Sequence, residues 1–255
     1  MGDKFIVDFG QNFAGVVSLD MTGKAGQTVR LRYAEILEKD GSVHTKNLRT
    51  AFATDYYTFK DDQPVTWMPV FTYHGFCYVE VAGVEELTAE NVTGIVQTEQ
   101  MTYGGNIQTD NDLINQIYHN TLWSQYSNFY SIPTDCPQRD ERRGWTGDAH
   151  MFFKTATYNA DTYNFMVSFL EQMRLTQNTN GCVATFAPNN SSLVGNAASA
   201  GWGDAAVILP WYLYTEYGSR DVLNEYYDMM VGWTNYQISQ TTFATDGKYI
   251  LPTCT

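Results

Sequence analysis

The chain has 255 residues, 44% of them hydrophobic and 17% charged, and a formal charge of −13. This is the composition of a globular protein with room for one large core or two medium ones, and it excludes a disordered chain. The acidic balance also excludes non-specific binding to nucleic acid or to anionic membrane surfaces, because both need Lys and Arg against phosphate.

Neutral, hydroxyl-rich ligands remain compatible with that charge. Aromatic residues make up 15% of the chain, with 18 Tyr and 6 Trp. These suit sugar recognition and plain cores alike.

Residues 5–100 read as β structure. Alternation shows in Val29-Arg30-Leu31-Arg32-Tyr33 and in Tyr78-Val79-Glu80-Val81, with Gly, Asp and Pro as punctuation. Several short strands at this spacing predict an antiparallel β-sandwich. The aromatic runs Tyr56–Phe59 and Trp67–Phe71 read as core strands, and His74 reads as a turn or packing residue.

The pattern changes over residues 101–108. Thr109 reads as an N-cap with Asp112 three residues on, and Leu113, Ile114, Ile117, Leu122, Trp123 and Tyr126 form a helical apolar stripe.

Residues 131–148, SIPTDCPQRDERRGWTGD, follow. Asp135, Asp140, Glu141 and Asp148 share this stretch with Arg139, Arg142, Arg143 and Trp145. Two prolines and two glycines break any helix, so this is a shaped loop that can gather carboxyls into one patch. Crowded carboxyls keep one another protonated, as general-acid chemistry requires. A solvated loop of structural Arg–Asp pairs has the same composition, and spacing alone does not separate the two readings. The turn around Gly144 and Thr146-Gly147 would present the Trp145 ring.

Helices are predicted over Ala149–Tyr158 and Thr162–Gln177, then a polar loop over 178–200. A fourth helix runs from near Gly203 to Gly218. A fifth is capped by Ser219, with Val222, Leu223, Tyr226, Tyr227, Met230 and Trp233 on its apolar face. Short connections alternate helix direction. The loops carrying Glu141 and Asp204 are therefore expected at one end, where helix N-termini favour anions and hydroxyl acceptors.

Cys77, Cys136, Cys182 and Cys254 have no metal-binding spacing, and free thiols in a reducing, cytoplasmic setting are the simpler reading. Cys136 is flanked by carboxylates, which disfavour a thiolate, and reads as structural. No apolar run reaches the roughly 20 residues of a membrane span, and no leader is visible. Met1-Gly2-Asp3-Lys4 runs straight into a strand, as though the chain starts inside a longer protein, which leaves a secreted or periplasmic parent open. Sequons fall at Asn91, Asn189 and Asn190.

The string from Asp135 to Arg142, followed by Gly144-Trp145-Thr146-Gly147-Asp148, closely resembles the active-site loop of bacterial α-L-rhamnosidases of glycoside hydrolase family 78. Phe71-Thr72-Tyr73-His74-Gly75-Phe76 resembles that family's signature in the β-domain, and Gly201-Trp202-Gly203-Asp204-Ala205, running into Pro210-Trp211, resembles its second barrel-rim segment. The resemblance covers essentially the whole chain. Cys77, Arg143 and His150 depart from it, standing where arginine, leucine and glutamine are usual.

The resemblance implies a β-sandwich over 1–102, followed over 103–255 by the first part of an (α/α)6 six-hairpin barrel of twelve helices. It implies inverting hydrolysis of terminal α-L-rhamnose, with no metal or other cofactor. Glu141 matches the general acid. Asp135, Arg139 and Asp148 match sugar-contacting positions, and the charges of Asp135 and Asp148 would favour the protonated form of Glu141. Trp145 offers a face for the sugar, and Trp202 and Asp204 are candidates for the opposite wall. Arg142 and Arg143 must turn away from Glu141. The general base is expected beyond residue 255, since Glu171, Glu216 and Glu225 read as helix-surface residues. The partner is a rhamnose-containing glycoside. A non-catalytic sugar-binding or structural piece, or another six-hairpin glycosidase, would carry the same helical pattern.

Overall fold

The structure is a computed structural model that describes residues 4–189, 199–243 and 249–250. Asn190, Cys254 and the closing residues 251–255 lie outside them. Contacts divide the chain into two compact units. The first comprises 1–99, 109–130 and 136–142; the second comprises 100–108, 131–135 and 143–255.

The first unit is built on six antiparallel strands. They are β1 (Lys4–Met21), β2 (Thr28–Ala34), β3 (Thr54–Thr58), β4 (Val65–Trp67), β5 (His74–Ala82) and β6 (Val92–Val96). All six belong to one curled sheet in the order β3-β2-β5-β1-β4, with β6 also paired to β1. β1 is not one of several short strands, since it runs for 18 residues. Its first part pairs with β5, and the register shifts between Asp8 and Phe13. Gly10 lies in that bulge with φ +69°, a conformation that suits glycine. Beyond the bulge β1 pairs with β6 through Gly15–Leu19 and with β4 through Leu19–Met21. One long strand thus serves three partners, and this bends the sheet around its core.

That core holds Phe13, Val17, Leu19, Val29, Leu31, Tyr33, Leu48, Phe59, Phe76, Val79 and Val81. Tyr57 and Trp67 pack against it, as expected. Tyr56 is exposed on the outer side of β3, and Met68, Val70 and Phe71 are exposed because β4 stops at Trp67 and the second aromatic run leaves the sheet. Glu80 is buried, but Lys4 and Arg30 hold its two oxygens at 3.2 and 2.5 Å, which offsets the cost of the buried charge.

Helix α1 (Asp112–Asn128) belongs to this unit. Its N-cap is Asn111, not Thr109. The Asn111 side chain accepts the N–H groups of Leu113 and Ile114, while Thr109 is tied to the Asn115 side chain. The predicted apolar stripe fails over its first half, where Leu113, Ile114 and Ile117 are exposed. Capping starts the helix, and burial begins only further along. There Trp123 packs on the β core and His119 reaches Gln11 at 3.1 Å.

Two-residue strands β7 (Phe129–Tyr130) and β8 (Ile132–Pro133) flank Ser131, and β9 (Gly144–Trp145) pairs with β10 (Phe186–Ala187). The second unit is otherwise helical, with α2 (Thr146–Asn159), α3 (Tyr163–Thr176), a single turn α4 (Ala200–Gly203), α5 (Ala205–Tyr217) and α6 (Arg220–Gln240). α5 packs against α2, α3 and α6. Phe153, Met166, Phe169, Leu170, Leu209, Leu213, Met229 and Trp233 are nearly inaccessible there. α5 ends at Gly218 in the left-handed conformation, as predicted. On α6 the buried residues are Val222, Tyr226, Met229 and Trp233, while Tyr227 is exposed. The buried face is rotated from the predicted one toward Met229. Short strands β11 (Thr242–Phe243) and β12 (Tyr249–Ile250) pair at the end of the described chain. No helix among the described residues is long and apolar enough to cross a membrane.

Phe76 is fully buried and touches the rings of Phe9, Phe13 and Tyr33 at 4.6–5.5 Å. Phe76→Ala is predicted to destabilise the β unit by about 3–5 kcal/mol, read from the shift of its denaturant midpoint.

Candidate active site

The acidic loop has a closed neck. Asp135 donates its backbone N–H to the Arg143 carbonyl at 3.1 Å, and Arg143 returns its own N–H to Asp135 Oδ1 at 3.2 Å. The Asp135 carboxylate therefore has one oxygen engaged with the backbone. Residues 136–142 form an excursion between these paired ends.

In the first unit this excursion is seated on three stretches of the β scaffold. The first is the Phe71–Phe76 motif. A side chain on Gly75 would place its Cβ 2.8 Å from Pro137 Cγ and 2.9 Å from Gln138 Cβ. Glycine lets the strand backbone approach the loop this closely. Arg142 donates to the Tyr73 carbonyl at 2.8 Å and lies 4.7 Å over the Tyr73 ring. His74 is buried within β5. Its Nε2 meets Asp55 at 2.9 Å and its ring stacks on Tyr33. It is a packing residue, as expected.

The second stretch is Glu35, which accepts from Gln138 at 3.0 Å, Asn47 at 3.3 Å and Asn12 at 2.9 Å. The third is Arg49–Thr50. The Thr50 N–H donates to Asp140 Oδ2 at 3.2 Å, and its hydroxyl donates to the same oxygen. These bonds, with a smaller contribution from the Arg49 cation, hold the Asp140 carboxyl below the usual carboxylate range.

Glu141 sits among cations. Its Oε2 is 2.9 Å from Arg49 Nη1 and 3.4 Å from Arg139 Nη2. Arg142 turns away, as an acid role requires. Arg139 reaches the candidate acid instead, and its Nε donates to Cys136 Sγ at 3.4 Å. Cys136 is buried, in keeping with a structural thiol. Sequence reasoning missed Arg49, Thr50 and Glu35. They lie some 90 to 103 residues from their partners, and no local pattern marks them.

The second unit holds Trp145, Asp148, Trp202 and Asp204. Trp145 is not on a free turn. It is the last residue of β9, directly opposite Phe186, and meets that ring edge-on at 5.4 Å. The Arg143 guanidinium lies 4.7 Å over the same Phe186 ring. Phe186 was not predicted, and it organises both residues. The Thr146 hydroxyl and N–H both donate to the Thr185 carbonyl, which fixes the passage from strand to helix. Asp148 is exposed in the first turn of α2, where the helix dipole favours negative charge.

α2 and the segment before α5 meet at their N-terminal ends. The Trp202 ring lies against Gly147, where an added Cβ would be 3.0 Å from the indole. His150 Nε2 meets the Gly201 carbonyl at 2.9 Å. Trp202 keeps 39% of its surface exposed. Asp204 is placed differently. Its Oδ1 accepts from Trp233 Nε1 at 3.0 Å and Gln237 Nε2 at 2.8 Å. These bonds give it a role in tying α5 to α6. The carboxylates of Glu171 and Glu216 are occupied by Arg174 and Lys154.

Comparison with known proteins matches both parts of the chain. Residues 102–249 match the model of the bacterial alpha-L-rhamnosidase 6 hairpin glycosidase domain, and residues 1–98 that of the bacterial alpha-L-rhamnosidase concanavalin-like domain. An alpha-L-rhamnosidase of Formosa agariphila is 42% identical over 91% of this chain and 25% of its own length. One of Streptomyces avermitilis is 43% identical over 91% of this chain and 22% of its own. The crystal structure of the Streptomyces avermitilis alpha-L-rhamnosidase complexed with L-rhamnose superposes with a TM-score of 0.89 at 41% identity, covering 94% of this chain and 23% of that one. The alpha-L-rhamnosidase structure from Dictyoglumus thermophilum gives 0.87 at 37% identity, over 91% and 26%. The chain thus spans about a quarter of the length of these relatives.

The low-lying Asp140 carboxyl has a consequence for the loop. A carboxylate depressed in the folded state contributes stability that is complete above its unfolded pKa and is lost as pH falls through the native one. Amide exchange over residues 136–142 is therefore predicted to accelerate once pH drops below the usual aspartate range. Thr50→Val should flatten that acid dependence. An unchanged acid profile in the variant would contradict the assignment.

Proposed function

The chain belongs to the bacterial α-L-rhamnosidase family, and from that premise we propose that it supplies the acid side of an inverting α-L-rhamnosidase. Its substrate is a glycoside or oligosaccharide ending in α-L-rhamnose. The observation that carries this reading is the likeness, over nearly the whole chain, to a relative whose structure holds L-rhamnose.

Glu141 is the general acid. It protonates the glycosidic oxygen as the bond from the sugar's anomeric carbon breaks, while water attacks from the opposite face. Asp135, Arg139 and Asp148 take hydrogen bonds from or give them to the rhamnose hydroxyls. Trp145 and Trp202 offer aromatic faces to its C–H groups and methyl. Asp204 acts from behind, since it accepts from Trp233 and Gln237 of α6, and it orders the segment that bears Trp202.

Glu141→Gln is predicted to slow hydrolysis of an alkyl rhamnoside by about 10²–10⁴-fold, the usual contribution of general-acid catalysis. It should spare an activated aryl rhamnoside, whose leaving group needs no proton. Proton NMR of the first product should show the inverted anomer. Equal, near-parental rates on both substrates would remove the acid assignment, and the retained anomer would remove inversion.

Trp145→Ala is predicted to weaken rhamnose binding by roughly 1–3 kcal/mol, measured by calorimetry on protein shown to be folded. Undiminished binding would leave Trp145 as a packing partner of Phe186 only.

A further inference from the structure

Glu35 joins three segments that the sequence keeps far apart. It directly follows β2, so the sheet fixes its backbone. Its Oε1 accepts from Asn12 at 2.9 Å, and its Oε2 accepts from both Asn47 at 3.3 Å and Gln138 at 3.0 Å. Asn12 lies where the register of β1 shifts. Asn47 lies in the short 3-10 helix Lys46–Leu48, and Gln138 lies in the acidic loop, 103 residues away in sequence. All three donors are neutral amides, and the bonds from Asn12 and Asn47 are exposed. Hydrogen bonds of this kind add little to stability.

Their effect is directional instead. An ionised carboxylate only accepts hydrogen bonds, whereas a glutamine amide has a donor end and an acceptor end. Glu35 therefore admits one orientation of the Gln138 amide, with Nε2 toward it and Oε1 away. That orientation has a cost, because Oε1 is buried and accepts no bond from a described residue. The Gln138 backbone is confined as well. A Cβ on Gly75 would lie 3.1 Å from the Gln138 nitrogen, so strand β5 sits directly against it.

We propose that Glu35 is a positioning residue for the acidic loop, acting through Gln138. The inference rests on the reading of residues 136–142 as the bearer of the acid. Thr50 holds this loop at Asp140. Glu35 holds it at Gln138, and two points fix a direction where one leaves a pivot. Glu141 follows Gln138 by three residues, so a loop that turns about Asp140 misplaces it. Small displacements of a reacting group cost rate steeply. The role asks nothing of the protonation state of Glu141, because it sets only where the group stands.

Three of the sugar-side candidates have other supports. Asp135 is bound to Arg143, Trp145 stands opposite Phe186, and Asp148 belongs to the first turn of α2. Loss of the Glu35 contact should therefore reach turnover and leave rhamnose binding nearly intact.

The test measures kcat and KM on an alkyl rhamnoside in the active enzyme that carries this sequence, at a temperature where each variant is folded. Glu35→Ala should lose roughly tenfold or more in kcat, the scale of a misplaced catalytic group, with KM within about threefold of the parent. Glu35→Gln should keep at least about a third of parental kcat, because its amide oxygen can accept from both Gln138 and Asn47 while its amino end faces an Asn12 turned to present oxygen. Gln138→Leu should lose about as much as Glu35→Ala, and it carries the same prediction if Glu35→Ala does not fold. The double variant should fall no more than about twofold below the worse single, since the two residues act as one unit. If Glu141→Gln is crippled while Glu35→Ala and Gln138→Leu keep parental turnover, this proposal alone falls. Additive losses in the double variant, no rescue by glutamine at position 35, or a loss carried mainly by KM also overturns it. If Glu141→Gln keeps parental rates, the acid assignment falls and this proposal with it.

Discussion

Two hydrogen bonds between Asp135 and Arg143, one from backbone to backbone and one from the Arg143 N–H to the Asp135 carboxylate, are the constraint on which the rest of the site depends. Seven residues between them carry two carboxyls, two arginines and a buried cysteine. Such a segment has no regular partner for its backbone, and its charges repel or attract across short distances. Pinning both ends removes most of its conformational freedom before any side chain is placed. The remaining order comes from the β scaffold. Gly75 permits close backbone approach, Tyr73 captures Arg142, and Glu35 and Thr50 hold Gln138 and Asp140. Most of these bonds are polar and partly exposed, so each contributes modestly to stability. Their value lies in fixing direction.

The curled sheet is the reason that such a scaffold exists. β1 interrupts its pairing with β5 at a bulge, resumes it over Phe13–Gly15, and continues with β6 and β4. The strand bends there, and aromatic rings from Phe9, Phe13 and Phe76 fill the concave side. Immediately after the bulge, β1 pairs with His74-Gly75-Phe76. The residues that receive the acidic loop are therefore the ones whose register the bulge sets. Phe76 faces the core, and the adjacent Gly75 meets Pro137 and Gln138. In a strand this alternation follows from geometry, so one rigid element serves packing and the loop at once.

The sequence disclosed what is local or periodic. Strand alternation, the helix stop at Gly218 and the carboxyl-rich loop were all legible. The α1 stripe misled because apolar spacing marks a face without saying that the face is covered. Leu113, Ile114 and Ile117 have the right spacing and are exposed, whereas Gln125 is buried. Trp145 misled in another way. Its neighbouring glycines suggested a free turn, but Gly144 is there because a Cβ would meet the Ala187 carbonyl at 2.4 Å, and Gly147 is there for the Trp202 ring. Glycine reports close approach as readily as it reports a turn. Arg49 was beyond reach. Nothing in residues 45–52 marks a partner 92 residues away, and only the fold shows that an arginine stands where the backbone asks for glycine.

Asp204 shows why residue type and motif position do not settle a role. It has the chemistry of a sugar ligand and precedes a helix, where hydroxyl acceptors collect. Yet the indole N–H of Trp233, itself buried, needs an acceptor, and Asp204 provides it while also accepting from Gln237. Gly203 beside it has no space for a side chain, since a Cβ would lie 2.4 Å from the Trp233 ring. The Gly-Asp pair therefore fits the shape and the donor of a single tryptophan. Trp202, one residue earlier, rests against Gly147 and stays part-exposed. Within three residues the chain passes from a part-exposed indole to a carboxylate that accepts two bonds from α6. The aromatic partner of each glycine makes the difference, with α2 supplying the support for Trp202 and α6 the ring that claims Asp204.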